Sequence, residues 1–97
     1  MRYAAIRIRA HHPAYEGHFP GSPVLPGAVL LDEVMMAIAD TESLELDDCT
    51  ISAAKFKRFV GPGEALELGF ERTPSGAFRF ELRAAALLVA EGTLQCR

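Results

Sequence analysis

Residues 16–40, EGHFPGSPVLPGAVLLDEVMMAIAD, join a constrained loop to an almost wholly apolar helix, and the remaining chain has to be arranged around that pair. Pro20, Pro23 and Pro26 are interspersed with Gly17, Gly21 and Gly27, so the backbone is locked at some positions and free at others, and the loop holds a defined shape. His18 lies within it. A helix starts naturally at Pro26-Gly27, because proline is tolerated in a first turn where its missing N–H is not needed. Apolar composition carries that helix to about Ala39, and from Ala28 onwards its only polar residues are Asp32 and Glu33. A helix apolar nearly all round belongs in an interior, which predicts a buried Asp32. A buried carboxylate needs a partner or a chemical role, because burial penalises its charged form and favours the neutral acid.

Upstream, Arg2 to Ala10 reads as a strand, with Ala4, Ile6 and Ile8 on one face and Tyr3, Arg7 and Arg9 on the other. His11-His12-Pro13 ends it. No third ligand stands at a recognisable spacing from the two histidines, so they read as structural. Downstream, Asp40 to Asp48 is acidic and rich in turn formers, and reads as a solvated connection. From Cys49 the period becomes two. Thr50 to Val60 forms one strand and Ala65 to Arg72 the next, with Leu66, Leu68 and Phe70 opposite Glu67 and Glu71; Phe78, Phe80 and Leu82 then alternate with Arg79, Glu81 and Arg83. Gly61-Pro62-Gly63 and Thr73-Pro74-Ser75-Gly76 mark turns. A last hairpin must fall within Ala84 to Arg97, but Ala84-Ala85-Ala86-Leu87 contains no Gly, Asn or Asp to place its turn. One long apolar helix between a first strand and a run of antiparallel strands predicts a single α+β domain over residues 1–97, its sheet curled round the helix.

A chain of 97 residues, 49% of them hydrophobic, buries a modest fraction of its surface alone and gains from association. Its net charge of −3 argues against nucleic acid, which needs a basic surface. No apolar run reaches the length of a membrane span, and MRYAAIRIRA alternates instead of forming a signal-peptide core, so a cytoplasmic location is expected. Cys49 and Cys96 lack metal-ligand spacing and a dense disulfide framework, which predicts two free thiols and no metal site.

The segment GHFPGSPVLPGAVLLD resembles the active-site segment of the 3-hydroxyacyl-[acyl-carrier-protein] dehydratases of fatty-acid synthesis, and KFKRFVGPGE at Lys55 to Glu64 resembles that family's strand and Pro-Gly-acidic turn. The resemblance implies a hot-dog fold, an antiparallel sheet wrapped around one long central helix. Asp at the acid position and the PVLPG wording are similar to the short dehydratases of aryl-polyene pathways. By resemblance His18 is the catalytic base and Asp32 the catalytic acid. The Gly27 N–H polarises the thioester carbonyl, the Val24 carbonyl orients the histidine ring, and Phe19 and Met36 line the substrate site. Met36 departs from the family, where a glutamine often stands one turn past the acid, and Met35 and Met36 read as core in preference to tunnel lining.

These roles suit the residue types. Removing water from a 3-hydroxyacyl thioester requires a base at C2, an acid for the departing C3 hydroxyl and a donor at the carbonyl. Histidine titrates near neutrality, and a buried Asp32 holds a proton. Asp32 and Glu33 lie about 100° apart around a helix, so only one can face a given site, and the motif register selects Asp32 over Glu33. No cofactor is implied beyond the phosphopantetheine of an acyl carrier protein. Carrier protein and acyl thioester are the expected partners, with Lys55, Lys57, Arg58, Arg7 and Arg9 as a candidate basic rim for an acidic carrier. The resemblance also implies a homodimer with His18 and Asp32 contributed by different chains. Two other functions stay open: a non-catalytic acyl-binding or heterodimer partner, and a hot-dog thioesterase, against which the intact His18 counts.

Overall fold

A computed structural model describes residues 1–7, 27–61 and 63–96. Five strands, β1 (Arg2–Arg7), β2 (Cys49–Phe56), β3 (Ala65–Arg72), β4 (Phe78–Ala84) and β5 (Leu87–Cys96), form one antiparallel sheet in the order β1-β3-β4-β5-β2. A single helix, α1 (Gly27–Glu42), lies on one face. The sheet curls far enough for both of its edge strands, β1 and β2, to reach α1. This is the architecture expected from the sequence.

Leu30, Val34 and Ile38, spaced by four, form the buried stripe of α1. They meet the inner face of the sheet, where Leu68, Phe70, Phe78, Phe80, Leu82 and Leu94 are fully buried in the same core cluster. Phe70 and Phe78 pack edge to face at 6.2 Å. Each buried ring contributes roughly 1.5 to 3 kcal/mol. The opposite face is polar, with Arg79 bridging Glu71 at 2.9 Å and Glu81 at 3.3 Å while Arg83 reaches Glu81 at 3.1 Å. The Arg79 guanidinium, hydrogen-bonded to Glu71, holds that carboxyl below the usual carboxylate range. Such exposed pairs order side chains more than they stabilise the fold.

The helix runs a turn further than its composition suggests and takes in Asp40, Thr41 and Glu42, which were read as a solvated connection. It stops in a C-terminal cap: Ser43 adopts φ 56°, and the Leu44 N–H donates to the Ala39 carbonyl at 2.8 Å. Leu44 packs against the core from this position. Serine occupies the place usually held by glycine, so the stop carried no sequence signal. A 3₁₀ turn at Leu46–Asp48 leads into β2. β2 itself ends at Phe56 rather than at Val60; the Lys57 N–H donates to the Val89 carbonyl at 2.8 Å, and Val60 is fully buried.

The unplaced hairpin turns at Ala85-Ala86, with Ala84 opposite Leu87 and Ala85 at φ 54°. Gly76, by contrast, sits where its turn signal put it, at φ 89° with its N–H on the Thr73 carbonyl at 2.9 Å. The free-thiol expectation is overturned. Cys49 and Cys96 are directly opposed in the β2–β5 register, with Cα atoms 4.0 Å apart, and form a disulfide. Antiparallel pairing brings together residues whose separation of 47 carries no contact information.

Two predictions follow from this geometry. On chain-entropy grounds, losing a crosslink across that span costs about 3 to 4 kcal/mol. Cys49→Ser, or reduction of the wild-type chain, should therefore lower the urea midpoint clearly, and an unchanged midpoint would show that the bond does not form. Ser43→Gly and Ala85→Gly should each raise stability by up to about 1 kcal/mol, because left-handed backbone strains an L side chain while glycine's extra unfolded-state freedom offsets part of the gain. Thermal melts of the single variants measure both.

Candidate active site

Gly27 is the first residue of α1, at the end where unpaired backbone N–H groups and the helix dipole give a positive potential. Asp32 follows five residues on. The buried stripe Leu30-Val34-Ile38 points at the sheet, and Asp32, two residues from Leu30, lies about 200° round the helix from it. Ala28, Asp32, Met36 and Asp40 consequently form an exposed stripe on the side away from the sheet, with Met36 40% exposed. The expectation of a buried Asp32 therefore fails for the single chain. Composition makes α1 apolar on all sides, but one sheet covers only one of them. Glu33 is half-buried beside it. Among the described residues Asp32 has neither a hydrogen-bond nor an ion-pair partner. His18, Phe19 and Val24 lie outside the described residues, as do His11 and His12, so the structure brings together Gly27, Asp32 and Met36 on one helix and leaves the loop's contribution to the sequence motif.

The proposed basic rim is divided. Arg7 stands on β1 and Lys55 on β2, the two opposite edges of the sheet, and Arg9 is outside the described residues. Arg58 is engaged by Glu64 at 3.3 Å, and Glu64 also accepts the Gly61 N–H at 2.6 Å. This carboxylate fixes the turn after β2, so the acidic residue of the Pro-Gly-Glu motif has a structural role. Among the described residues no group of three His, Cys, Asp or Glu side chains is placed to hold a metal ion. A shallow hollow beside the disulfide, lined by Asp48, Thr50, Ser75 and Gln95, is bordered by neither Asp32 nor Gly27.

One side chain at this end of the helix was passed over in the sequence: Phe56, the last residue of β2. A Cβ on Gly27 would lie 2.8 Å from the tip of the Phe56 ring. Ile51 and Phe56 are five residues apart, so a regular strand would place them on opposite faces, and the sequence alone carries no signal for the irregularity that changes this.

The family model of the ApeI-like proteins, described as the ApeI dehydratase, matches residues 2–93. The chain belongs to this dehydratase family. Among curated relatives it is 37% identical over 110 residues to the 3-hydroxyacyl-[acyl-carrier-protein] dehydratase FabZ of Variovorax paradoxus, covering 98% of this chain and 73% of that protein. It is 33% identical to the FabZ protein of Klebsiella pneumoniae over 96% of this chain and 70% of the relative. Among solved structures, the dehydratase heterocomplex ApeI:P of Xenorhabdus doucetiae superposes with a TM-score of 0.70 at 26% identity, over 98% of this chain and 86% of that one. The fluoroacetyl-CoA thioesterase FlK superposes with a TM-score of 0.71 at 15% identity, over 96% of this chain and 80% of that one. That likeness is one of hot-dog fold. No helix among the described residues is long and apolar enough to cross a membrane.

Because Asp32 is exposed and unpartnered in the single chain, Asp32→Asn should change the unfolding free energy of the dissociated chain by less than about 0.5 kcal/mol, as surface substitutions generally do. Urea titration tests this, and a loss above 1.5 kcal/mol would place Asp32 in a structural contact instead.

Proposed function

We propose that this chain dehydrates 3-hydroxyacyl thioesters carried on acyl carrier protein to trans-2-enoyl thioesters, and that it does so as an assembly of two hot-dog chains. The observation that carries the reading is the position of Asp32. It stands in a stretch, Ala28 to Ala39, whose only other polar residue is Glu33, one turn before Met36, on the face that the chain's own sheet leaves uncovered. A second chain laid over that face would bury the carboxyl among apolar groups, which favours its neutral, proton-donating form.

In this scheme the neutral His18 imidazole removes a proton from C2. The electrons move to form the C2–C3 double bond, and Asp32 delivers its proton to the C3 hydroxyl, which leaves as water. The histidine ends protonated and the aspartate ionised, so one proton returns from His18 to Asp32 before the next turnover. The Gly27 N–H at the positive end of α1 polarises the thioester carbonyl and stabilises the developing enolate. Val24 orients the His18 ring, and Phe19 and Met36 line the acyl chain. No dissociable cofactor takes part.

The named relatives support this chemistry, since the FabZ proteins carry it in their description. A second reading rests on the ApeI:P likeness, because that structure is of a dehydratase heterocomplex. In that reading the covering chain is a different hot-dog protein in place of a second copy. A thioesterase is disfavoured by the intact His18 motif, and the FlK likeness bears only on fold.

Incubating the purified protein with a 3-hydroxyacyl thioester should generate the ultraviolet absorbance of a conjugated enoyl product. His18→Ala and Asp32→Asn should each abolish it. Mixing the two inactive variants under subunit exchange should restore about a quarter of wild-type activity, because half of the dimers are mixed and each mixed dimer has one intact site in two. Absence of recovery despite demonstrated exchange would exclude a site shared between identical chains. Activity appearing only with a second, co-purified hot-dog protein would select the heteromeric reading.

A further inference from the structure

Phe56 is 43% exposed, so burial alone does not account for its position, yet three separate features of the chain converge to put it there. The first is a bulge. β2 pairs Ile51 with Leu94 and then Ala53 with Thr93, which leaves Ser52 as an extra residue, its hydroxyl on the Thr93 carbonyl at 3.2 Å. Before the bulge the odd-numbered residues of β2 share the inner face with Leu94; after it the even-numbered ones do, and Phe56 stands opposite the buried Ala90. Without the extra residue Lys55 would face the helix and Phe56 would face outward. Bulges re-aim side chains in this way, often beside active sites.

The second feature is Gly92, opposite Ala54 in the same stretch. A Cβ there would collide with the Ala53 carbonyl and would come within 2.8 Å of the Phe80 ring, so only glycine lets the bulged strand lie this close. Gly27 is the third. The tip of the Phe56 ring occupies the space that any side chain on Gly27 would need, with ring atoms 2.8, 3.1 and 3.3 Å from the Cβ position. The Lys57 N–H bond to Val89 and the buried Val60 hold the strand immediately beyond.

We infer that Phe56 is a substrate-positioning residue of the dehydratase site. Its ring walls the start of α1 and holds the thioester carbonyl against the Gly27 N–H. This inference rests on the function proposed above and extends it: Gly27 is required less for its own backbone freedom than for the room it leaves the ring. With one side of the ring exposed, a side chain added at Gly27 displaces the ring at little cost to stability. Positioning is then lost while the fold survives.

The test is a double-mutant cycle on the intact assembly, with Gly27→Ala, Phe56→Ala and the combined variant, and with Phe56→Leu as a conservative replacement. Phe56→Ala should lower kcat about tenfold with KM changed less than threefold, since a misplaced carbonyl costs rate more than binding. Phe56→Leu should recover part of the loss. Gly27→Ala should reduce kcat comparably, and adding it to Phe56→Ala should cost no more than a further factor of two, because there is no ring left to displace. Thermal melts of all four variants should stay close to wild type. Wild-type turnover combined with a Phe56→Ala kcat within twofold of wild type, or with fully multiplicative losses in the cycle, overturns the role of Phe56 and leaves the dehydratase assignment standing. A wild-type protein that fails to turn over any 3-hydroxyacyl thioester, alone or with a second hot-dog chain, overturns both.

Discussion

A helix with more apolar surface than one sheet can cover is the constraint on which the rest of this structure depends. Leu30, Val34 and Ile38 satisfy the sheet, and their burial against Phe70, Phe78 and Phe80 holds the two layers together. The opposite stripe, Ala28-Asp32-Met36-Asp40, carries only Asp32 within its apolar part and is covered by no layer among the described residues. In a surface helix that stripe would be polar. In the proposed assembly a second chain completes the enclosure, and Asp32 is the carboxylate that it would cover.

The edge strand β2 answers to the same constraint. It is tied into the sheet at one end by the disulfide to Cys96 and beyond the other by the Lys57–Val89 bond, while its residues from Ser52 to Phe56 remain exposed. Between those anchors the bulge and Gly92 turn one aromatic ring inward at the start of α1. A strand under selection for stability alone would gain more from regular alternation, since a bulge leaves one residue outside the ladder. The irregularity places the Phe56 ring against Gly27 at the start of α1.

Charge is used differently on the two sides of the sheet. The outer face carries the Glu71-Arg79-Glu81-Arg83 ladder, whose members neutralise one another. At the end of β2 and just beyond it, Lys55 and Lys57 are exposed, and Phe59 is 78% exposed. Of the described cations grouped as a single rim, Arg7 stands on the β1 edge and Lys55 on the β2 edge, and only the latter shares its edge with Phe56.

Much of this was legible in the sequence because it depends on local periodicity and on a contiguous motif. The alternation of Leu66-Leu68-Phe70 and Phe78-Phe80-Leu82, the turn at Gly76 and the helix start at Gly27 follow from residue type and spacing, and the histidine-to-aspartate segment identified the family without any coordinates. Elements whose cause lies across the chain were not legible. Ser43 and Ala85 hold left-handed backbone without glycine because Leu44 and the β4–β5 pairing over-determine them. The Cys49–Cys96 bond exists because strand register opposes residues far apart in sequence. Asp32 was placed in an interior because hydropathy reports how apolar a helix is and not how many of its sides its own chain can cover; that number is set by the single sheet, and only the tertiary structure contains it.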